Sequence, residues 1–185
     1  PYTTLFRSLA TLKTPGALVI CNGYKDREYI ETALLAQRLG QKPIVVIEQL
    51  SELDTIITAS RKLGIKPLVG VRAKLLSKGV GRWGTSTGER AKFGLSAAEI
   101  IEVVERLRDE DLLDSLQLLH FHVGSQISNI SVFKNAMREA SQIYVELAKL
   151  GANMRYLDVG GGLSIDYDGS KTDFPSSKNY NMQEY

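Results

Sequence analysis

The chain has 185 residues, with 23 Lys plus Arg against 21 Asp plus Glu and a net charge of +2. That near-balance argues against nucleic acid or an anionic membrane as partner, and no apolar run is long enough to cross a bilayer. Hydrophobic residues make up 43% and charged residues 24%, and the single cysteine, Cys21, leaves no internal disulfide. These are the proportions of a globular domain with no implied oxidising compartment. The sequence opens at Pro1 and stops at Tyr185 in a polar, helix-like stretch, and we read it as a piece of a longer protein.

In chain order, Ala17 to Ile20 is a short apolar run closed by Asn22-Gly23. Tyr24 to Leu39 has apolar residues at helical spacing, with Gly40 as its stop. Pro43 introduces Ile44-Val45-Val46-Ile47, a strand without polar alternation. Ser51 and Asp54 resemble a capping pair for a helix that ends at Gly64. Pro67 introduces a third strand, Leu68 to Val71. A glycine-rich loop then runs from about Lys74 to Gly94. Ser96-Ala97-Ala98-Glu99 spells a capping box and opens a helix through Leu107. Leu116 to Val123 is the fourth strand, and Asn129 to Leu150 is a long amphipathic helix stopped by Gly151. Tyr156 to Val159 is the fifth strand and runs into Gly160-Gly161-Gly162. A polar tail follows Tyr167.

Short apolar strands separated by helices predict a parallel sheet, because antiparallel neighbours would be joined by tight turns. Missing period-2 alternation predicts cover on both faces. An open doubly wound sheet and a (β/α) barrel both satisfy this pattern, and both place chemistry at the C-terminal ends of the strands, here Cys21-Asn22-Gly23, Glu48, Arg72 to Gly94, His120 to Gln126 and Asp158 to Tyr167.

Three stretches at those ends can carry chemistry. Gly160-Gly161-Gly162 can bring backbone N–H groups against an anion, with phosphate as the usual guest, or can be no more than a tight strand exit. The chain's two histidines, His120 and His122, are two apart at one strand end and project to the same side. No third ligand accompanies them, so a metal site is not expected there. His120 reads as a satisfied core histidine, His122 as a flat polar platform beside a ligand, and Ser125 as a donor to an oxygen anion. The loop carries Lys74, Lys78, Arg82, Arg90 and Lys92 against Glu89, with Trp83 as an anchor. It reads as a cover for an anionic ligand or as a solvated surface loop. No Gly-x-Ser-x-Gly elbow is present, Cys21 reads as inert packing, and the helical Glu and Lys residues read as solvent-facing.

His122-Val123-Gly124-Ser125-Gln126, followed about one βα unit later by Leu157-Asp158-Val159-Gly160-Gly161-Gly162-Leu163, resembles the pyridoxal-phosphate (PLP) decarboxylases of the alanine-racemase barrel type. Within that family, Cys21-Asn22-Gly23-Tyr24-Lys25-Asp26, Ile165-Asp166-Tyr167-Asp168-Gly169-Ser170, Asn179-Tyr180 and Glu184-Tyr185 resemble the biosynthetic arginine decarboxylases, in particular the plant form. The resemblance implies a partial (β/α)8 barrel of about five βα units. His122 would stack on the pyridine ring, and Ser125 with Gly160, Gly161 and Gly162 would hold the phosphate. The segment Leu157, Asp158, Val159, Leu163, Ser164, Ile165, Asp166 and Tyr167 would line the cofactor and substrate pocket. It further implies decarboxylation of L-arginine to agmatine in polyamine biosynthesis, magnesium as a second cofactor, and at least a homodimer. The compartment would be chloroplast or cytoplasm.

By the same resemblance, the lysine that carries the cofactor, the acid for the ring nitrogen and a C-terminal β-domain fall outside residues 1–185. The chain would then be the central part of the barrel, and inactive and marginally folded alone. The rivals are a diaminopimelate or ornithine decarboxylase of the same fold, a catalytically silent regulatory paralogue, and a phosphate-binding barrel enzyme without PLP.

Overall fold

The computed structural model describes residues 2–76 and 93–185. Within them, five parallel strands alternate with helices in a single sheet of order β1-β2-β3-β4-β5. The strands are β1 (Leu18–Cys21), β2 (Lys42–Ile47), β3 (Leu68–Arg72), β4 (Leu116–His120) and β5 (Tyr156–Asp158). The helices are α1 (Tyr2–Thr11), α2 (Arg27–Leu35), α3 (Leu50–Leu63), α4 (Ala97–Asp109) and α5 (Ile130–Lys149). Every strand pairs with its neighbour in sequence. A doubly wound sheet reverses its strand order at a switch point, so this unbroken order selects the barrel, here half-built.

The local signals behave as their chemistry requires. Gly40 and Gly64 end their helical segments in the left-handed conformation. Ser96 and Glu99 form the reciprocal capping box at α4, and Asn129 caps α5 by accepting from Ser131 N. The Ser51–Asp54 pair is not a cap. Helix α3 starts after Gln49 without a side-chain cap bond, and Asp54 instead pairs with Arg106 of α4. Helix α1 escapes the sequence reading because its first turn holds no acid and its last turn no base. The polar tail is not helical at its end: residues 166–185 form turns and irregular backbone. Most of the basic loop, with Lys78, Arg82, Trp83, Glu89, Arg90 and Lys92, lies outside the described residues.

The core has two layers, one on each side of the sheet. Val45, Ile47, Val69, Val71 and Leu119 pack outward against Leu53, Ile56, Ile100, Val103 and Val104 of the helices. Ile44, Val46 and Leu118, with Ile20, Leu68 and Tyr156, form the inner layer of the barrel. Gly70 makes this layer possible, because a Cβ there would lie 2.8 Å from Leu118 Cδ2. The inner set fixes the next step: two residues beyond Ile20, Val46, Leu118 and Tyr156, and two beyond Gly70 on β3, the same face presents Asn22, Glu48, His120, Asp158 and Arg72 at the barrel mouth.

Candidate active site

These five residues form two polar groups. On one side, the Glu48 carboxylate, 1% exposed, accepts from Gly23 N at 2.7 Å and from Arg72 Nη1 at 3.1 Å. It joins the ends of β1, β2 and β3 and holds the Arg72 cation at the mouth. Beneath it, Glu52 in the first turn of α3 accepts from Glu48 N at 2.7 Å and from Lys25 N at 3.1 Å, and pairs with Lys25 Nζ at 3.1 Å. Both side chains of this pair are inaccessible, at 0% and 2%. Lys25 Nζ also donates to the Gly23 carbonyl. Glu52 therefore departs from the expectation that helical acids face solvent. Its carboxylate is drawn inward by three donors that would otherwise lie unsatisfied at the ends of β1 and β2.

On the other side stand His120 and Asp158. His120 is buried, and its Nδ1 lies 3.0 Å from Asp158 Oδ2 and 3.2 Å from the Asp158 carbonyl. Both partners are acceptors, so Nδ1 carries the proton. Asp158 Oδ1 accepts from Gly160 N at 2.9 Å, and Asn22 Nδ2 reaches Asp158 Oδ2 at 3.3 Å. That last bond joins the two opposite edge strands across the concave face, so the sheet curls tightly at this end. The His120 hydrogen bond, aided by the Gly160 amide, outweighs partial burial and holds the Asp158 carboxyl down at about 2. His120 is thus the satisfied core histidine that its position implied, and it orients the start of the glycine run.

His122 is exposed at the mouth, as a ligand platform requires. Its Nδ1 accepts from Gly161 N at 3.3 Å, which leaves the proton of the neutral ring on Nε2. Desolvation, then the Arg72 cation and His120, lower its pKa against the opposing pull of Asp158. The ring is therefore held neutral and turned by the glycine loop itself.

The glycines have separate duties. A Cβ on Gly160 would lie 2.6 Å from the Phe121 carbonyl oxygen and 2.8 Å from His122 Nδ1. One on Gly162 would lie 2.1 Å from the Gly124 carbonyl oxygen. Both take positive φ, +67° and +104°. They let the loops after β4 and β5 touch, and Ile127 N donates to the Gly162 carbonyl at 2.9 Å. A Cβ on Gly161 meets nothing within 4 Å, and that position opens outward. Among the described residues, the Ser125 hydroxyl and the Gly162 N–H make no hydrogen bond. Two open donors and a bare backbone turn beside a neutral imidazole suit a phosphate carried on a flat ring.

The remaining residues expected at the site divide by direction. Leu157 and Val159 pack against the outer core, while Asp158 between them faces the barrel interior. Ser164 is buried, donating its hydroxyl to the Ser177 carbonyl at 3.0 Å. Leu163, Ile165 and Tyr167 are exposed. Asp166 is tied to its own turn through Gly169 N and Ser177 Oγ. Asn22, Glu48 and Arg72 stand at strand ends where the sequence placed chemistry, but sequence reasoning assigned them no role, because their partners come from other strands. Among the described residues no three His, Cys, Asp or Glu side chains converge on one point, so the magnesium expectation finds no ligand set there. Among the same residues no helix is long and apolar enough to cross a membrane.

The fourth and fifth strands of this half-barrel thus end in an exposed imidazole and a glycine turn that touch each other. The chain belongs to the family described as pyridoxal-dependent decarboxylase, pyridoxal binding domain, whose model matches residues 4–183. It is 70% identical over 181 residues to the biosynthetic arginine decarboxylase of Nostoc sp., covering 98% of this chain and 27% of that protein. It is 72% identical to the protein of that name from Gloeobacter violaceus, covering 28% of it. The crystal structure of biosynthetic arginine decarboxylase SpeA from Campylobacter jejuni superposes with a TM-score of 0.85 at 35% identity, over 100% of this chain and 29% of that one. The chain thus spans little more than a quarter of the length of these relatives. The two sequence relatives are cyanobacterial, so the likeness to the plant form, and with it the chloroplast expectation, gains no support.

Proposed function

We propose that this chain supplies the central βα units of a PLP-dependent arginine decarboxylase barrel, a carbon–carbon lyase that converts L-arginine to agmatine and CO2. The observation that carries the reading is the adjacency of His122 and Gly161, 3.3 Å apart, with open donors beside them. The sheet supports the partial-barrel reading, because β1 and β5 each pair with one strand only among the described residues. The two relatives supply the arginine assignment.

When bound, PLP withdraws electrons from the substrate's Cα as the carboxylate leaves. The chain's own residues bind, orient and shield. His122 would lie against one face of the cofactor ring, where a neutral imidazole adds no positive charge. The Ser125 hydroxyl and the Gly162 amide would take the phosphate oxygens, while the Gly161 amide stays on His122 Nδ1. Asp158, fixed by His120 and Asn22, holds the start of the glycine run through Gly160 N. Arg72, held by Glu48, places a permanent cation across the mouth from these groups. At least a homodimer and a cytoplasmic location are carried forward from the family resemblance.

The test compares turnover of arginine, ornithine and diaminopimelate by the full-length protein with PLP, read as CO2 release and agmatine formation. The reading expects arginine to be preferred by at least about a hundredfold. Preference for either other amino acid, or no turnover at all, overturns it. The isolated 185-residue chain with added PLP is expected to release no CO2 from arginine.

A further inference from the structure

The stretch after Ser164 has no helix or strand, yet it returns across both loops of the candidate site. Its anchors are specific. Asn179 N donates to the Ser128 carbonyl at 2.9 Å, and Asn179 Oδ1 accepts from Ile130 N at 3.1 Å. Ser128 Oγ donates to the Asp173 carbonyl at 2.6 Å. These bonds deliver Tyr180 into the interior, where it is 5% exposed. Its ring meets Phe133 of α5 edge-on, with centroids 5.9 Å apart and planes at 77°.

The Tyr180 hydroxyl accepts from Ser164 N at 2.9 Å and donates to the Ile127 carbonyl at 2.8 Å. Ser164 lies two residues beyond Gly162, and Ile127 two residues beyond Ser125. An isolated parallel bridge joins these loops at Ile127 and Leu163. The hydroxyl adds the next link, bridging one backbone donor and one backbone acceptor. A buried hydroxyl using both functions fixes a separation more tightly than either backbone could alone, and removing it leaves both backbone groups short of a partner.

We propose that Tyr180 is a positioning residue for the phosphate cradle, its hydroxyl setting the distance between the Ser125 donor and the Gly162 amide. The proposal rests on the cofactor reading given above. Tyr180 touches no cofactor; it acts by spacing the two loops that do. Its effect is confined to the part of the affinity that the phosphate contributes.

The experiment uses the full-length protein stripped of cofactor, titrated with PLP and with pyridoxal, the same ring without the phosphate. For Tyr180→Phe, which keeps the ring and removes the hydroxyl, PLP affinity is expected to fall about tenfold. Pyridoxal affinity should stay within about twofold. Asn179→Ala keeps the hydroxyl but frees its carrier, and should produce a smaller loss that is again specific to PLP. Unchanged PLP affinity in Tyr180→Phe overturns the proposal. Equal losses for PLP and pyridoxal also overturn it, since they mark a packing role. If the unsubstituted protein itself binds PLP no better than pyridoxal, the cofactor reading fails first and takes this proposal with it.

Discussion

Three adjacent glycines have three different consequences when a methyl group is added. At Gly162 a Cβ would sit 2.1 Å from a backbone carbonyl oxygen, which no rotamer change can relieve. At Gly161 the same methyl meets no neighbour within 4 Å and stands in the space assigned to the phosphate. Gly161→Ala in the full-length protein is therefore expected to keep its thermal stability and weaken PLP binding. Gly162→Ala should lower stability as well. Equal melting temperatures for the two variants would contradict the division, which differential scanning calorimetry can check. His122 offers a second prediction at this scale. Partial desolvation, Arg72 and His120 hold its pKa below the ordinary value of 6.5, so the neutral ring persists to a lower pH than in a free imidazole. Nitrogen chemical shifts of His122 should report the Nε2-protonated neutral tautomer at pH 7, and a charged ring at that pH would contradict the geometry. Asp158 gives the acid limit. Its folded pKa of about 2 is depressed, so its stabilisation is complete above the ordinary value of 3.8 and is lost as pH falls through that value towards 2.

Between the strand ends and the helices, the Lys25–Glu52 pair acts as a joint. It ties the exit of β1 to the start of α3 and supports Glu48, which in turn fixes Arg72. Neither side chain reaches solvent, so removing one leaves the other charge buried without its partner. Lys25→Met in the full-length protein is expected to cost about 3–5 kcal/mol, measured by chemical denaturation. Lys25→Met combined with Glu52→Leu should recover part of that loss. A cost of Lys25→Met near zero would place the pair in the class of solvated surface ion pairs. Sequence could not reveal this joint. Lys25 stands between two polar neighbours in a loop, and Glu52 sits at an amphipathic helix start where acids ordinarily face water. Only the superposition of two strand ends makes them one unit. The elements themselves were legible because their signals are local: Gly40 and Gly64 as stops, Ser96 and Glu99 as a box, and Ile44–Ile47 as a strand covered on both faces. The Ser51–Asp54 pair failed as a cap because a tertiary partner, Arg106, claimed Asp54.

Across the whole molecule, the choice between an open sheet and a barrel was not in the hydrophobic pattern, which both produce. It lies in strand order and curl, seen in the sequential pairing and in the Asn22–Asp158 bond between opposite edges. The site was partly legible, because His122, Ser125 and the glycine run are motifs written in consecutive residues. Its other half, Asn22, Glu48 and Arg72, is scattered over three strands and gathered only by the inward face of the barrel. The strap carrying Tyr180 was illegible for another reason: it has no periodicity, and the bonds that tie it to the loop after β4 span 45 to 53 residues of sequence. All of these features converge on one arrangement at the mouth, an imidazole and a glycine turn 3.3 Å apart, which the proposed function sets at the two ends of one cofactor. The most direct measurement is the crystal structure of the full-length protein with PLP bound. The account predicts the pyridine ring stacked on the imidazole of His122, with phosphate oxygens in hydrogen-bond contact with Ser125 Oγ and Gly162 N. A phosphate bound away from both, or a His122 ring turned from the cofactor, would contradict it.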